Sequence, residues 1–138
     1  MPQPPSLAEA YSLSARLFEV IDRMRADFAA VTAEFGLTPL QARAVLQLEE
    51  PQPMRALAEH LACEPSNVTG LADRLEAAGL VKRVAGQDRR VKLLKLTDDG
   101  VQLRIRLAER VASGSSVTAK LAAHERRSLS RLLDRLLD

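Results

Sequence analysis

One cysteine, no tryptophan, one tyrosine and three phenylalanines in 138 residues each remove a class of protein. The lone Cys63 rules out an internal disulfide framework and any four-cysteine zinc module. His60 lies three residues before Cys63, yet two ligands make a poor site, and His124 stands alone in the last helical segment; no metal and no cofactor is expected. Aromatic residues at 3% leave little for stacking on single-stranded nucleic acid. The longest stretch free of Asp, Glu, Lys and Arg is nine residues, Val111 to Ala119, too short to span a bilayer. The opening MPQPPSLAEA has no basic segment leading into an apolar run, so it does not read as a secretory signal, and a cytoplasmic location is expected. No nucleophile with a nearby base, no glycine-rich phosphate loop and no paired metal ligands are found, so no catalytic residue and no enzymatic activity is expected.

Against these absences stand 46% hydrophobic and 28% charged residues, a balance that suits a soluble domain with its own core. Leucine and alanine supply 44 of the 138 residues, which favours packed helices over a sheet sandwich. The formal charge of +2 is unevenly spread. From Leu80 to Leu96, Lys82, Arg83, Arg89, Arg90, Lys92 and Lys95 face only Asp88, a local charge of +5 that leaves −3 for the rest of the chain. A short basic element on a slightly acidic body is the footprint of a phosphate-binding surface, or else of a solvated hairpin.

Pro2, Pro4 and Pro5 mark a tail. Leu17, Ile21, Met24, Phe28, Val31 and Phe35 recur at spacings of four and three, which predicts one long helix from Leu7 to Phe35, stopped by Gly36. Its apolar seam exceeds what a small domain buries and calls for a helix from a second chain. Thr38 and Pro39 open a helix to about Leu48, and Met54 to Leu61 forms another with Leu57, Ala58 and Leu61 inward. Pro65 begins a fourth that Gly79 ends as a left-handed cap. Two short helices across a tight turn make a helix-turn-helix. VKRVA and VKLLKLT around Gly86 to Arg90 read as a two-stranded hairpin, with Leu94 and Leu96 on one face. Thr97 starts a fifth helix, SGSS at Ser113 to Ser116 breaks it, and a last one runs from about Ala119 to Leu137. The expected fold is therefore mainly α, a winged helix-turn-helix core with N- and C-terminal helical dimerisation arms and a two-stranded β wing. Residues 1–36 form the tail and first arm, 37–100 the winged region and 101–138 the second arm, intertwined as one domain.

In a helix-turn-helix the second helix enters the major groove with its N-terminal residues at base edges. Ser66, Asn67, Thr69 and Gly70 occupy those positions, and Arg74 follows on the same side. Small hydroxyl and amide groups can donate and accept, or they can simply form a solvated first turn. Gly70 costs the helix about 1 kcal/mol relative to alanine, which implies a close approach, either to DNA backbone or to a neighbouring helix. At the hairpin tip Arg89 and Arg90 suit the minor groove, and Asp88 either orients an arginine or holds the turn.

The stretch LAEHLACEPSNVTGLADRLEAAGLVKRVAGQDRRVKLLKLTDDG, Leu57 to Gly100, resembles the winged helix of the MarR family of bacterial transcription regulators. Asp88, Arg90, Leu96 and Thr97 match the family's wing signature in spacing, LTPLQARAVLQL resembles its second helix, and the leucine-rich ends resemble its arms. The resemblance implies that Asp88 orients the wing, that Arg90 enters the minor groove, and that Arg83 braces the wing or touches phosphate. It implies Ser66, Asn67, Thr69 and Arg74 on the recognition helix at the major groove. It further implies a homodimer on a pseudo-palindromic double-stranded DNA operator, repressing a nearby gene until a small-molecule effector or an oxidant releases it. No ligand-binding residue is assigned: Tyr11, Phe18, Phe28 and Phe35 suit a helical core as well as a pocket, and Cys63 suits a small core role better than a redox one. The competing function is a winged-helix protein interaction module without operator binding, its wing a basic docking surface.

Overall fold

The computed structural model describes residues 1–138. Its elements run α1 (Leu7–Glu34), α2 (Pro39–Gln47), β1 (Gln52–Pro53), α3 (Met54–Leu61), α4 (Pro65–Ala77), β2 (Val81–Ala85), β3 (Lys92–Leu96), α5 (Asp98–Gly114), a 3-10 turn (Thr118–Lys120) and α6 (Ala123–Leu137). The chain divides into two compact units, one of Ala29–Ser113 and one of Met1–Phe28 with Gly114–Asp138. No helix is long and apolar enough to cross a membrane.

Within residues 29–113 the helix ends follow from local chemistry. Thr38 caps α2 reciprocally: its hydroxyl accepts from the Gln41 N–H at 3.2 Å while Gln41 Oε1 accepts from the Thr38 N–H at 2.9 Å. Gly36, Ala62 and Gly79 all sit in the left-handed region, with φ of 68°, 51° and 76°. At each, the following residue's N–H reaches back five positions, Leu37 to Thr32 O, Cys63 to Ala58 O and Leu80 to Leu75 O, at 3.1, 3.1 and 3.0 Å. These are Schellman closures, and the one at Ala62 forms the tight turn between α3 and α4 without a glycine.

The core of this unit is aliphatic. Leu57, Ala58 and Leu61 of α3 meet Val68, Leu71, Ala72 and Leu75 of α4, with Val45, Leu48, Val81, Leu94, Leu96 and Leu107 also buried. Each such leucine contributes about 1.5–3 kcal/mol by leaving water. Leu94 and Leu96 alternate inward, as the hairpin pattern required. The sheet has three strands rather than two, in the order β1-β3-β2 and antiparallel throughout. The added strand is only Gln52 and Pro53, paired with Leu94 and Leu93. Arg104 on α5 donates from Nε to the Leu46 carbonyl at 3.2 Å near the α2 C-terminus and pairs with Glu49 at 3.5 Å.

In the other unit the surface is the finding. Leu13, Leu17, Val20, Ile21 and Met24 form one stripe along α1, and each is exposed. Leu129, Leu132, Leu133, Leu136 and Leu137 form a second stripe on α6, a helix with no buried residue. The last helix begins at Ala123, not Ala119, because the 3-10 turn intervenes and Glu125 Oε2 accepts the Ala122 N–H at 2.7 Å. Asp27 Oδ2 accepts both the backbone N–H and the hydroxyl of Ser116, at 2.9 and 2.7 Å. Those two bonds, chiefly the hydroxyl, hold the Asp27 carboxyl below its ordinary value.

Candidate nucleic-acid interface

At 3.6 residues per turn, burial of Val68, Leu71, Ala72 and Leu75 fixes which way the rest of α4 points. The outward face carries Ser66, Asn67, Thr69, Gly70, Asp73, Arg74, Glu76 and Ala77. Ser66 and Asn67 are exposed, and no hydrogen bond engages either side chain. Thr69 differs: its hydroxyl donates to the Pro65 carbonyl at 3.2 Å, so its methyl and lone pairs are what it offers outward. Arg74 is exposed and forms no ion pair.

A Cβ placed on Gly70 would meet nothing within 4 Å, so no neighbouring helix approaches it and that half of the sequence expectation is overturned. The gap faces open space beside Ser66, Asp73 and Arg74. Gly100 is the reverse case, since a Cβ there would run into the backbone carbonyl of Leu80.

The wing is held by its turn. Gly86 N–H donates to the Val91 carbonyl and Val91 N–H to the Asp88 carbonyl, both at 3.0 Å. Asp88 Oδ1 accepts the Arg90 backbone N–H at 3.0 Å. Its carboxylate therefore orients the loop through the main chain and binds no guanidinium, an Asx-turn. The side chains of Arg89 and Arg90 are exposed and unpaired. Lys82 and Lys95 stand opposite each other across β2 and β3, both exposed.

Arg83 lies on the other face of β2. Its Nη2 contacts Asp73 Oδ1 at 2.6 Å and its Nη1 contacts Glu76 Oε2 at 3.0 Å, joining wing and α4. The Asp73 bond leads in raising its proton affinity above the ordinary arginine value. Sequence reading missed both carboxylates, although two acids three apart on a helix, followed by an arginine on the next strand, is a readable signal. His60 Nδ1 lies 3.2 Å from Gln52 Oε1, and Cys63 is half-buried. No group of three or more His, Cys, Asp or Glu side chains gathers as a metal site.

The sequence model of the MarR family matches residues 37–92, which span α2 through the wing turn and stop at the first residue of β3. The HTH-type transcriptional repressor MdtR of Bacillus subtilis (strain 168) is 35% identical over 88 residues, 62% of this chain and 55% of that protein. The chain thus matches about half the length of that relative. The Mycobacterium tuberculosis MarR family protein Rv2887 is similar in two solved states. In complex with p-aminosalicylic acid it is 28% identical with a TM-score of 0.72, covering 91% of this chain and 98% of that one. In complex with DNA it is 25% identical with a TM-score of 0.76, covering 90% and 96%.

Proposed function

We propose that this chain is a member of the MarR family, whose sequence model matches residues 37–92, and that it is a homodimeric, sequence-specific double-stranded DNA-binding regulator that represses transcription of a nearby gene. The observation that carries the reading is the presence of two outward-facing surfaces on residues 37–100. One is the outward face of α4, with Ser66, Asn67, Thr69, Gly70 and Arg74; the other is the wing tip, with Arg89 and Arg90. In this reading α4 lies in the major groove and the wing arginines enter the minor groove. Asp88 acts by shaping the turn, and Arg83 by bracing it against α4. Repression rests on the likeness to MdtR, and binding of a small aromatic acid as effector on the likeness to Rv2887, solved in complex with p-aminosalicylic acid.

The second copy follows from the arms. Two exposed leucine-rich stripes on residues 1–28 and 114–138 are more apolar surface than a monomer carries without a use. A symmetric dimer covers them and spaces two α4 helices about one DNA turn, roughly 10 base pairs, apart. A regulator that meets the genome of a bacterial cell works in the cytoplasm.

The test is selection of bound genomic fragments followed by footprinting. A symmetric protected site in an intergenic region is expected. Equal binding to selected and random duplexes would instead favour a winged-helix protein interaction module.

A further inference from the structure

The outward face of α4 has the wrong charge for a helix that meets DNA. Its ionisable residues are Asp73, Arg74 and Glu76, a net of −1, and Glu64 precedes the helix. Asp73 is no marginal residue. It follows Ser66 by seven positions and Gly70 by three, which puts it on the line that leads along the middle of the exposed face. Its side chain is 63% exposed and that of Glu76 is 45% exposed, so neither carboxylate is hidden from an approaching phosphate. Duplex DNA carries one negative charge per about 1.7 Å of axis, and like charges brought together at an interface weaken binding steeply.

Arg83 is the least exposed member of the cluster, at 31%, and it spends both terminal nitrogens on these two acids. Two of the five guanidinium N–H donors are so engaged, and the two acids fix the plane of the fork. The planar fork suits this two-acid bridge, and an ammonium could not reproduce it. We propose that Arg83 is a charge mask: it offsets Asp73 and Glu76 on the groove-facing helix, leaving their cluster at −1 rather than −2, and so permits α4 to approach DNA, without touching DNA itself. It is a positioning residue, and the inference rests on the DNA-binding reading above.

The experiment measures binding of a labelled random-sequence duplex across a salt series, alongside thermal unfolding. The proteins are wild type, Arg83→Gln, Asp73→Asn with Glu76→Gln, and all three changes together. Masking predicts that Arg83→Gln weakens binding at least about tenfold. It also predicts that the triple variant returns to within about threefold of wild type with the same salt slope, because the number of phosphates neutralised has not changed. If Arg83 is itself a phosphate ligand, the triple variant stays weak and its slope is shallower by about 0.9, which overturns the proposal. If Arg83 is only a brace, the triple variant is as weak as Arg83→Gln and its melting temperature falls with it, which also overturns it. A wild type that fails to bind duplex at all refutes the DNA-binding reading instead.

Discussion

Thr97 donates its hydroxyl to the carbonyl oxygen of Gly79 at 2.6 Å, and the Thr97 hydroxyl oxygen in turn accepts the Gly100 N–H at 3.1 Å. One side chain thus joins the C-terminal cap of α4 to the first turn of α5. Thr97 N–H adds a bond to the Leu80 carbonyl at 3.0 Å, the atom that a Cβ on Gly100 would strike. Gly100→Ala should therefore destabilise the protein by at least about 2 kcal/mol, since the obstacle is backbone and cannot rotate away. Urea midpoints at fixed protomer concentration measure this, and a midpoint equal to wild type would show that the junction yields.

Gly70 predicts the opposite balance. With open space where a methyl would go, Gly70→Ala should raise stability by about 0.5–1 kcal/mol through helix propensity. The same methyl then stands on the face proposed to meet DNA and should weaken duplex binding. Thermal melts and a gel-shift titration on one preparation test both halves; unchanged affinity would remove Gly70 from the interface.

Much of this was legible because punctuation residues mark it. Pro39, Pro65, Gly36 and Gly79 set helix limits by their own backbone preferences, and alternation showed Leu94 and Leu96 facing inward. What escaped depends on partners distant in sequence. Gln52 and Pro53 are a strand only because β3 pairs with them, and proline carries no strand signal. Ala62 adopts a glycine-like φ of 51° with no glycine to announce it. Arg83 looked available for phosphate until the fold brought up Asp73, ten residues earlier. The candidate site was therefore readable as a set of residues and not as a set of roles.

The wing separates two kinds of loss. Arg90→Ala removes an unpaired guanidinium and should weaken operator binding by about 1–3 kcal/mol while leaving stability unchanged. Asp88→Ala removes the acceptor for the Arg90 N–H and should loosen the turn, whereas Asp88→Asn keeps an oxygen there and should bind nearly as wild type. If Asp88→Asn were as damaging as Asp88→Ala, the carboxylate charge rather than the turn would be what matters.

Asp27 gives a pH dependence of known sign. Its folded value lies below the ordinary 3.8, held down mainly by the Ser116 hydroxyl, then by the Ser116 N–H, with Lys120 adding attraction. A group depressed in the folded state stabilises above its unfolded value, and that contribution fades as pH falls through the folded one. The Ser116 amide resonance should therefore hold steady down to about pH 4 and shift below it. Asp27→Asn should abolish the shift; its persistence in that variant would assign it to another carboxylate.

The arms supply the quaternary test. Leu132 and Leu136 are one turn apart on α6, 54% and 70% exposed. In a monomer, changing exposed leucines to aspartate costs little, because no burial is lost. In a dimer that covers the stripe, each leucine contributes about 1.5–3 kcal/mol of burial, and each aspartate is a charge taken out of water. Leu132→Asp with Leu136→Asp should therefore leave the helical circular dichroism of residues 29–113 intact and convert the sedimenting species to monomer. DNA affinity should fall further than any single wing variant, because two linked α4 helices engage neighbouring half-sites with a high effective concentration that a monomer lacks. A double variant that sediments as a dimer would place the subunit contact elsewhere than on α6.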